Sequence, residues 1–259
     1  IKTLNLRKQP IVWENVVGRK INGIVGTLIR LKQDPKAYPR TPKHEAGAEL
    51  ATGALRYVLD QQRFDEIERH CIESAAIDGI GGIELSIEQG DMGDPEIGLM
   101  PVFIEDYFYS PPSKHHDFSD ATYEGVGKWL DLDQAQMLYP NKADELEASL
   151  EAGSELSSEP DNEHKWFFTE GEKKRVRVVE CYYMHKGKWC YGVFTGAFKI
   201  AEGESPFKDE KGQSTSKYVM FSAYVDQDGD RYGIVRDLKP LNKELNMRKS
   251  RGLYNAMTR

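Results

Sequence analysis

The chain has 259 residues, with 35 Lys and Arg against 42 Asp and Glu for a formal charge of -7. Its 39% hydrophobic and 30% charged residues supply a packed core and exclude a wholly disordered chain, and the length suits one or two domains. No apolar run approaches the roughly 18 residues of a membrane-spanning helix; the best, Tyr218 to Val225, is strand-sized, so no membrane partner is expected.

Val17, Ile21, Ile24, Leu28 and Leu31 recur at three and four residues, which predicts an amphipathic helix from about Ile11 to Lys32, weakened by Gly18, Gly23 and Gly26. A Pro-rich turn, Asp34 to Pro42, ends it. Thr41 as N-cap with Pro42 at the first helical position opens a second helix, whose apolar stripe is Ala48, Ala51, Leu55, Val58 and Leu59. It breaks near Arg63 and resumes through Phe64, Ile67, Cys71 and Ala75. Gly79, Gly81 and Gly82 then stop the helix and admit a strand over Ile83 to Glu88, with Ile97 to Tyr109 returning beside it.

Ser110 to Ala121 reads as a loop. Asp131 or Asp133 caps a short helix over Ala135 to Tyr139, and Lys142 to Leu150 reads as another. Gly153 to His164 is a Ser- and Glu-rich surface segment. Residue preference then changes to strand: Arg175 to Met184 and Lys188 to Ile200 flank Lys186-Gly187 as a hairpin, and Lys217 to Val225 pairs with Arg231 to Val235 around Asp228-Gly229. Leu238, Leu241, Leu245 and Leu253 mark a C-terminal helix.

Charge is unevenly spread. Residues 1 to 43 hold ten basic side chains against Glu14 and Asp34, a balance of +8, and residues 236 to 259 hold seven against Asp237 and Glu244, a balance of +5. Asp144 to Glu172 holds ten carboxylates against Lys165 alone. The ends attract polyanions and the middle repels them. Cys71, Cys181 and Cys190 are odd in number with no C-x-x-C spacing, so neither a disulfide framework nor a zinc ribbon is indicated and a reducing, intracellular setting is the default. No apolar segment follows Lys2, Arg7 and Lys8 to make a secretory signal. The chain lacks an initiator Met and stops inside a helical pattern, so a fragment of a longer protein is expected.

Motifs that carry chemistry are partial. Gly79-Ile80-Gly81-Gly82 follows a helix and precedes a strand, the reverse of a phosphate-binding context. Gly125-Val126-Gly127-Lys128 ends in Trp129 where a phosphate loop needs Ser or Thr. Asp226, Asp228 and Asp230 match the start of a calcium loop, but Arg231 takes the glycine position and Asp237 the place of the bidentate Glu, so a hairpin turn is preferred to a metal site. His44-Glu45 lacks the second His of a zinc protease helix, and His115-His116-Asp117 has no further His nearby. No nucleophile has a locally placed base.

Several ordered segments together resemble the portal protein, or head-to-tail connector, of tailed bacteriophages, in particular the podovirus type. They are Asp34-Pro35-Lys36-Ala37-Tyr38-Pro39-Arg40-Thr41-Pro42, Ala54-Leu55-Arg56-Tyr57, Phe64-Asp65-Glu66-Ile67 and Asp78 to Gly82. Asp117 to Tyr123, Lys128 to Asp133 with Leu138-Tyr139-Pro140, and Tyr232 to Leu238 with Asn246, Arg248 and Ser250 follow in the same order. The resemblance implies an α+β fold of N-terminal helices, mixed or antiparallel sheets with hairpins, and a C-terminal helix entering the stem.

It further divides the chain into an N-terminal helical and α+β part of the portal wing (1–152), an acidic flexible loop (153–164), a β-rich part of the wing (165–236) and the start of the stem helix (237–259). The implied subunit is structural and without cofactor. It sits in a dodecameric ring at the capsid vertex of the virion, assembled in the host cytoplasm, through which double-stranded DNA passes irrespective of sequence. Capsid protein, terminase and tail adaptor proteins are its partners. Basic ends meeting an acidic middle suit neighbour contacts in such a ring, with Lys173, Lys174 and Glu151 to Glu163 as the test positions. Arg248, Lys249 and Arg251 are the candidates for facing the channel or a neighbour, an ordinary solvated helix face being the competing reading. A metal-dependent hydrolase using Asp226, Asp228 and Asp230, or a generic intracellular scaffold module, is the alternative.

Overall fold

The computed structural model describes residues 10–31, 34–39, 41–89, 93–147, 167–170, 173–196, 198–209 and 211–258. The chain forms two compact units that interleave in sequence: residues 1–101 with 220–259, and residues 102–219. The fold class is α+β with antiparallel sheets, as the sequence predicts. The acidic segment 153–164, together with Glu151 and the side chain of Lys173, lies outside what is described.

In the first unit, helix α1 (Val16–Arg30) starts four or five residues later than its periodicity suggests, capped by the Asn15 side chain, which accepts from the Gly18 N–H. Its buried row is Ile21 and Val25, flanked by Val17 and Ile29, an i, i+4 series that leaves Leu28 and Leu31 exposed. A 3₁₀ turn (Pro42–His44) with Pro at its start leads into α2 (Glu45–Gln61); Thr41 is extended there but its side chain makes no capping bond. None of the α2 residues is buried, and only Val58 and Leu59 of its apolar stripe pack against the core. Arg63, at φ 48°, makes the break before α3 (Phe64–Ile77).

The α3 helix ends at Gly79, whose φ of 94° is the left-handed conformation a C-terminal cap needs. Strand β1 (Ile80–Gln89) follows at once, with Gly81 and Gly82 inside it, and pairs with β2 (Pro95–Pro101) so that Ile83, Leu85 and Ile87 face Pro101, Leu99 and Ile97. Ile83, Leu85 and Leu99 close over Ile67 and Cys71 of α3. Strand β2 ends at Pro101 instead of running on to Tyr109; turns at Phe103 to Tyr107 break it. The last residues of strand β9 (Tyr218–Ser222), Met220–Ser222, complete the three-stranded sheet. The long helix Val235–Met257 ends the unit.

The second unit is a six-stranded antiparallel sheet. The strands β3 (Tyr107–Tyr109), β4 (Tyr123–Asp131), β6 (Lys173–His185), β7 (Lys188–Phe194) and β8 (Lys199–Glu204) lie in that order, with β5 (Phe167–Glu170) also paired to β6. The predicted hairpin is present: Lys186 and Gly187, at φ 50° and 78°, join β6 to β7 as a type I′ turn requires. The sequence misses β4, an inner strand between β3 and β6, because its glycines mimic a phosphate loop. A Cβ on Gly125 would stand 2.4 Å from the Glu180 carbonyl oxygen, so only glycine lets β4 and β6 approach there.

Residues opposite one another in the ladders share a face. Leu130, Val176, Val178 and Val193 turn toward Leu132 and Ala135 of helix α4 (Leu132–Leu138) and toward Leu146 in the helical turn 143–147. On the same face Tyr107, Tyr109, Phe118, Tyr182 and Tyr218 form an aromatic cluster with ring centroids 5.1–6.1 Å apart. Lys217, buried beside the rings of Tyr182 and Tyr218, pairs with Glu180. Glu124 is buried next to them and takes the Tyr107 hydroxyl at 2.6 Å; burial pushes its carboxyl upward.

Asp120 organises the loop between β3 and β4. Its carboxylate takes the Ser113 hydroxyl at 2.6 Å, the Lys114 N–H at 2.6 Å and the His115 N–H at 3.2 Å. Burial raises its carboxyl, but these donors outweigh it and hold the group at about 2. A carboxyl below its unfolded value of 3.8 contributes stability that is present above that pH and is lost as pH falls toward 2. The stability gap between wild type and Asp120→Asn should therefore be constant near neutrality and shrink between about pH 4 and pH 2, measured by urea denaturation across that range. A constant gap would show that the loop does not depend on the charge.

Candidate nucleic-acid interface

The C-terminal helix, α5 (Val235–Met257), holds the predicted basic residues, and the way it is anchored decides which way each of them faces. Its start is locked by Gly233, where a Cβ would lie 2.4 Å from the Ala76 carbonyl oxygen and 2.5 Å from that of Ile77. Arg236 in the first turn lies over the Tyr232 ring, 4.5 Å from its centroid, and pairs with Asp226 at 2.9 Å.

The leucine stripe predicted for α5 does not face the core: Leu241, Leu245 and Leu253 are exposed. The buried row is polar. Asn242 Oδ1 accepts the Val16 N–H at 3.3 Å, Asn246 Oδ1 the Glu14 N–H at 3.2 Å and Ser250 Oγ the Val12 N–H at 2.9 Å. Four residues of helix rise about 6 Å, nearly the advance of about 6.6 Å over two extended residues, so side chains at i, i+4 and i+8 meet every second amide of the segment running antiparallel to them. Residues 10–15 are thus a strap clipped onto α5. The N–H groups of Val12 and Glu14 in the strap, and of Val16 at the start of α1, are satisfied by side chains more than two hundred residues away, which is why local periodicity misreads Ile11 to Asn15 as helix.

The three cations divide accordingly. Arg248 and Arg251, three residues apart, share the exposed side of α5 opposite the strap; Arg248 pairs with Glu244 at 2.5 Å, one turn back. Lys249 lies at the strap edge, paired with Glu14, which Arg19 also reaches at 2.8 Å. Helix geometry therefore separates a triplet that is contiguous in sequence.

The weak metal candidates are not gathered into a site. Asp226 Oδ1 accepts the N–H groups of Asp228 and Asp230 at 3.1 and 2.9 Å, and its other oxygen pairs with Arg236, whose guanidinium holds the carboxyl below the usual range. The Asp226 carboxylate closes the turn between the two-residue strands β10 (Tyr224–Val225) and β11 (Arg231–Tyr232), the predicted hairpin in short form, with Gly229 at φ 95°. Among the described residues no three His, Cys, Asp or Glu converge. His115 Nδ1 lies 2.9 Å from Ser119 Oγ within its own loop, and His44 precedes α2. No described helix is long and apolar enough to cross a membrane.

A family model described as phage P22-like portal protein matches residues 1–188. The chain belongs to this portal protein family. A curated relative, the "Portal protein" of Helicobacter pylori bacteriophage KHP30, is 22% identical over 268 aligned residues, covering 97% of this chain. The chain spans 40% of the length of that relative. The portal segments quoted from the sequence have visible work in the fold. Asp120 and Phe118 build the β3–β4 loop, Asp131 precedes α4 and pairs with Arg175 at 2.8 Å, and Gly233 seats α5 on the end of α3. Arg248, Lys249 and Arg251 lie beyond the residues that the portal family model matches.

Proposed function

We propose that the chain is a structural, non-catalytic subunit of a portal ring at the capsid vertex of a phage virion, assembled in the host cytoplasm. In this reading the ring is a dodecamer that forms the channel for packaging and ejecting double-stranded DNA, and it is the platform that meets capsid protein, terminase and tail adaptor proteins. In the same reading, residues 1–152 and 165–236 belong to the wing, on either side of the acidic segment 153–164, and residues 237–259 begin the stem. Membership of the portal family carries the proposal.

The exposed arginines of α5 support the DNA part. Passage irrespective of sequence calls for diffuse phosphate attraction without groups that read bases, because tight clamping would stall movement. Arg248 and Arg251 supply such charge on one side of α5. Changing both to Gln should lower the yield of DNA-filled heads while rings still form, scored by nuclease-protected DNA per particle. Normal filling of heads built from this variant would remove α5 from the DNA path.

A further inference from the structure

The strap on α5 carries its own anion. Glu14 is fixed through its main chain, the N–H donating to Asn246 Oδ1 and the carbonyl accepting from Asn246 Nδ2, each at 3.2 Å. That grip aims its carboxylate between two helices, where one oxygen takes Arg19 Nη2 at 2.8 Å and the other takes Lys249 Nζ. Lys249 first, then Arg19, draws the Glu14 carboxyl below the ordinary range, so it is charged at neutral pH. A guanidinium and an ammonium converging on two oxygens of one anion is also the arrangement that binds the non-bridging oxygens of a phosphodiester.

We propose that Glu14 is an internal stand-in for phosphate, occupying Arg19 and Lys249 while the strap is clipped, and that a backbone phosphate of duplex DNA takes its place when DNA lies along α5. This rests on α5 facing DNA. Three features make the exchange feasible. Both cations are accessible, with side chains 73% and 47% exposed. The strap is held by neutral side-chain-to-amide bonds, each of modest net strength, and by exposed ion pairs, which are weak. A polyanion releases counterions when it binds, a driving force that a single carboxylate lacks.

The test is binding of a mixed-sequence DNA duplex to the purified portal protein over a range of salt concentrations, with thermal melting as the folding control. Glu14→Gln should raise affinity several-fold at low salt and steepen the salt dependence by about 0.9 in the log–log slope for each phosphate gained. Lys249→Gln alone should leave affinity within about twofold of wild type, because the phosphate contact it loses is offset by the Glu14 contact that no longer has to be broken, and the double variant should lose most of the gain. Inorganic phosphate at matched ionic strength should not erase the gain; if it does, the site takes small anions and the proposal fails. Wild-type affinity and slope in Glu14→Gln, with Arg248→Gln/Arg251→Gln weakened, would overturn the masking alone. Absence of duplex binding by wild type and every variant would overturn both the masking and the reading of α5.

Discussion

Replacing Gly79 or Gly233 with Ala should each destabilise the first unit by about 4 kcal/mol or more, at the extreme of single-residue effects. At Gly79 two penalties combine. The φ of 94° is strained for any residue with a Cβ, and that Cβ would stand 2.3 Å from the Tyr232 carbonyl carbon. Gly233 meets the same junction from the other side, against the Ala76 and Ile77 carbonyls at the end of α3. All these contacts are to backbone, which cannot swing aside as a side chain does. Gly23 and Gly26 provide the contrast: in α1 a Cβ on either has open space around it, so Ala there should stabilise by roughly 0.5–1 kcal/mol. Urea denaturation of the four variants checks both signs, and a Gly79→Ala variant as stable as wild type would refute the tight crossing.

The second large effect concerns the pair of buried Lys217 and partly buried Glu180 in the other unit. Lys217→Met should cost about 2 kcal/mol, because it leaves the partly buried Glu180 carboxylate without its cation beside an aromatic cluster. Adding Glu180→Leu should recover most of that loss, since removing both charges removes the desolvation cost with them. The sign of the recovery matters more than its size. A double variant as weak as the single one would show that the packing of the Lys217 stem, rather than the charge left on Glu180, sets the stability.

Much of this architecture is legible locally. The break at Arg63, the cap at Gly79 and the turn at Lys186-Gly187 all lie within a few residues of the signals that predict them. What is not legible depends on partners distant in sequence. Gly125 of β4 carries no strand signal because its reason is the Glu180 carbonyl across the sheet. The strap reads as helix because the groups that take its Val12 and Glu14 amides, Ser250 and Asn246, are distant in sequence. The same anchoring explains the site. Composition finds the basic triplet Arg248, Lys249 and Arg251, but only the polar row that turns α5 toward the strap reveals that Lys249 faces Glu14 while the two arginines face away. The sequence signal was present in the Asn-x₃-Asn-x₃-Ser spacing, which places three hydrogen-bonding groups on one helix face.

As proposed, this portal-family chain takes part in a ring around DNA. Sedimentation of the full-length portal protein with negative-stain imaging should show closed rings of subunits with a central hole wide enough for a DNA duplex. A stable monomer or dimer at high protein concentration, with and without DNA, would contradict it.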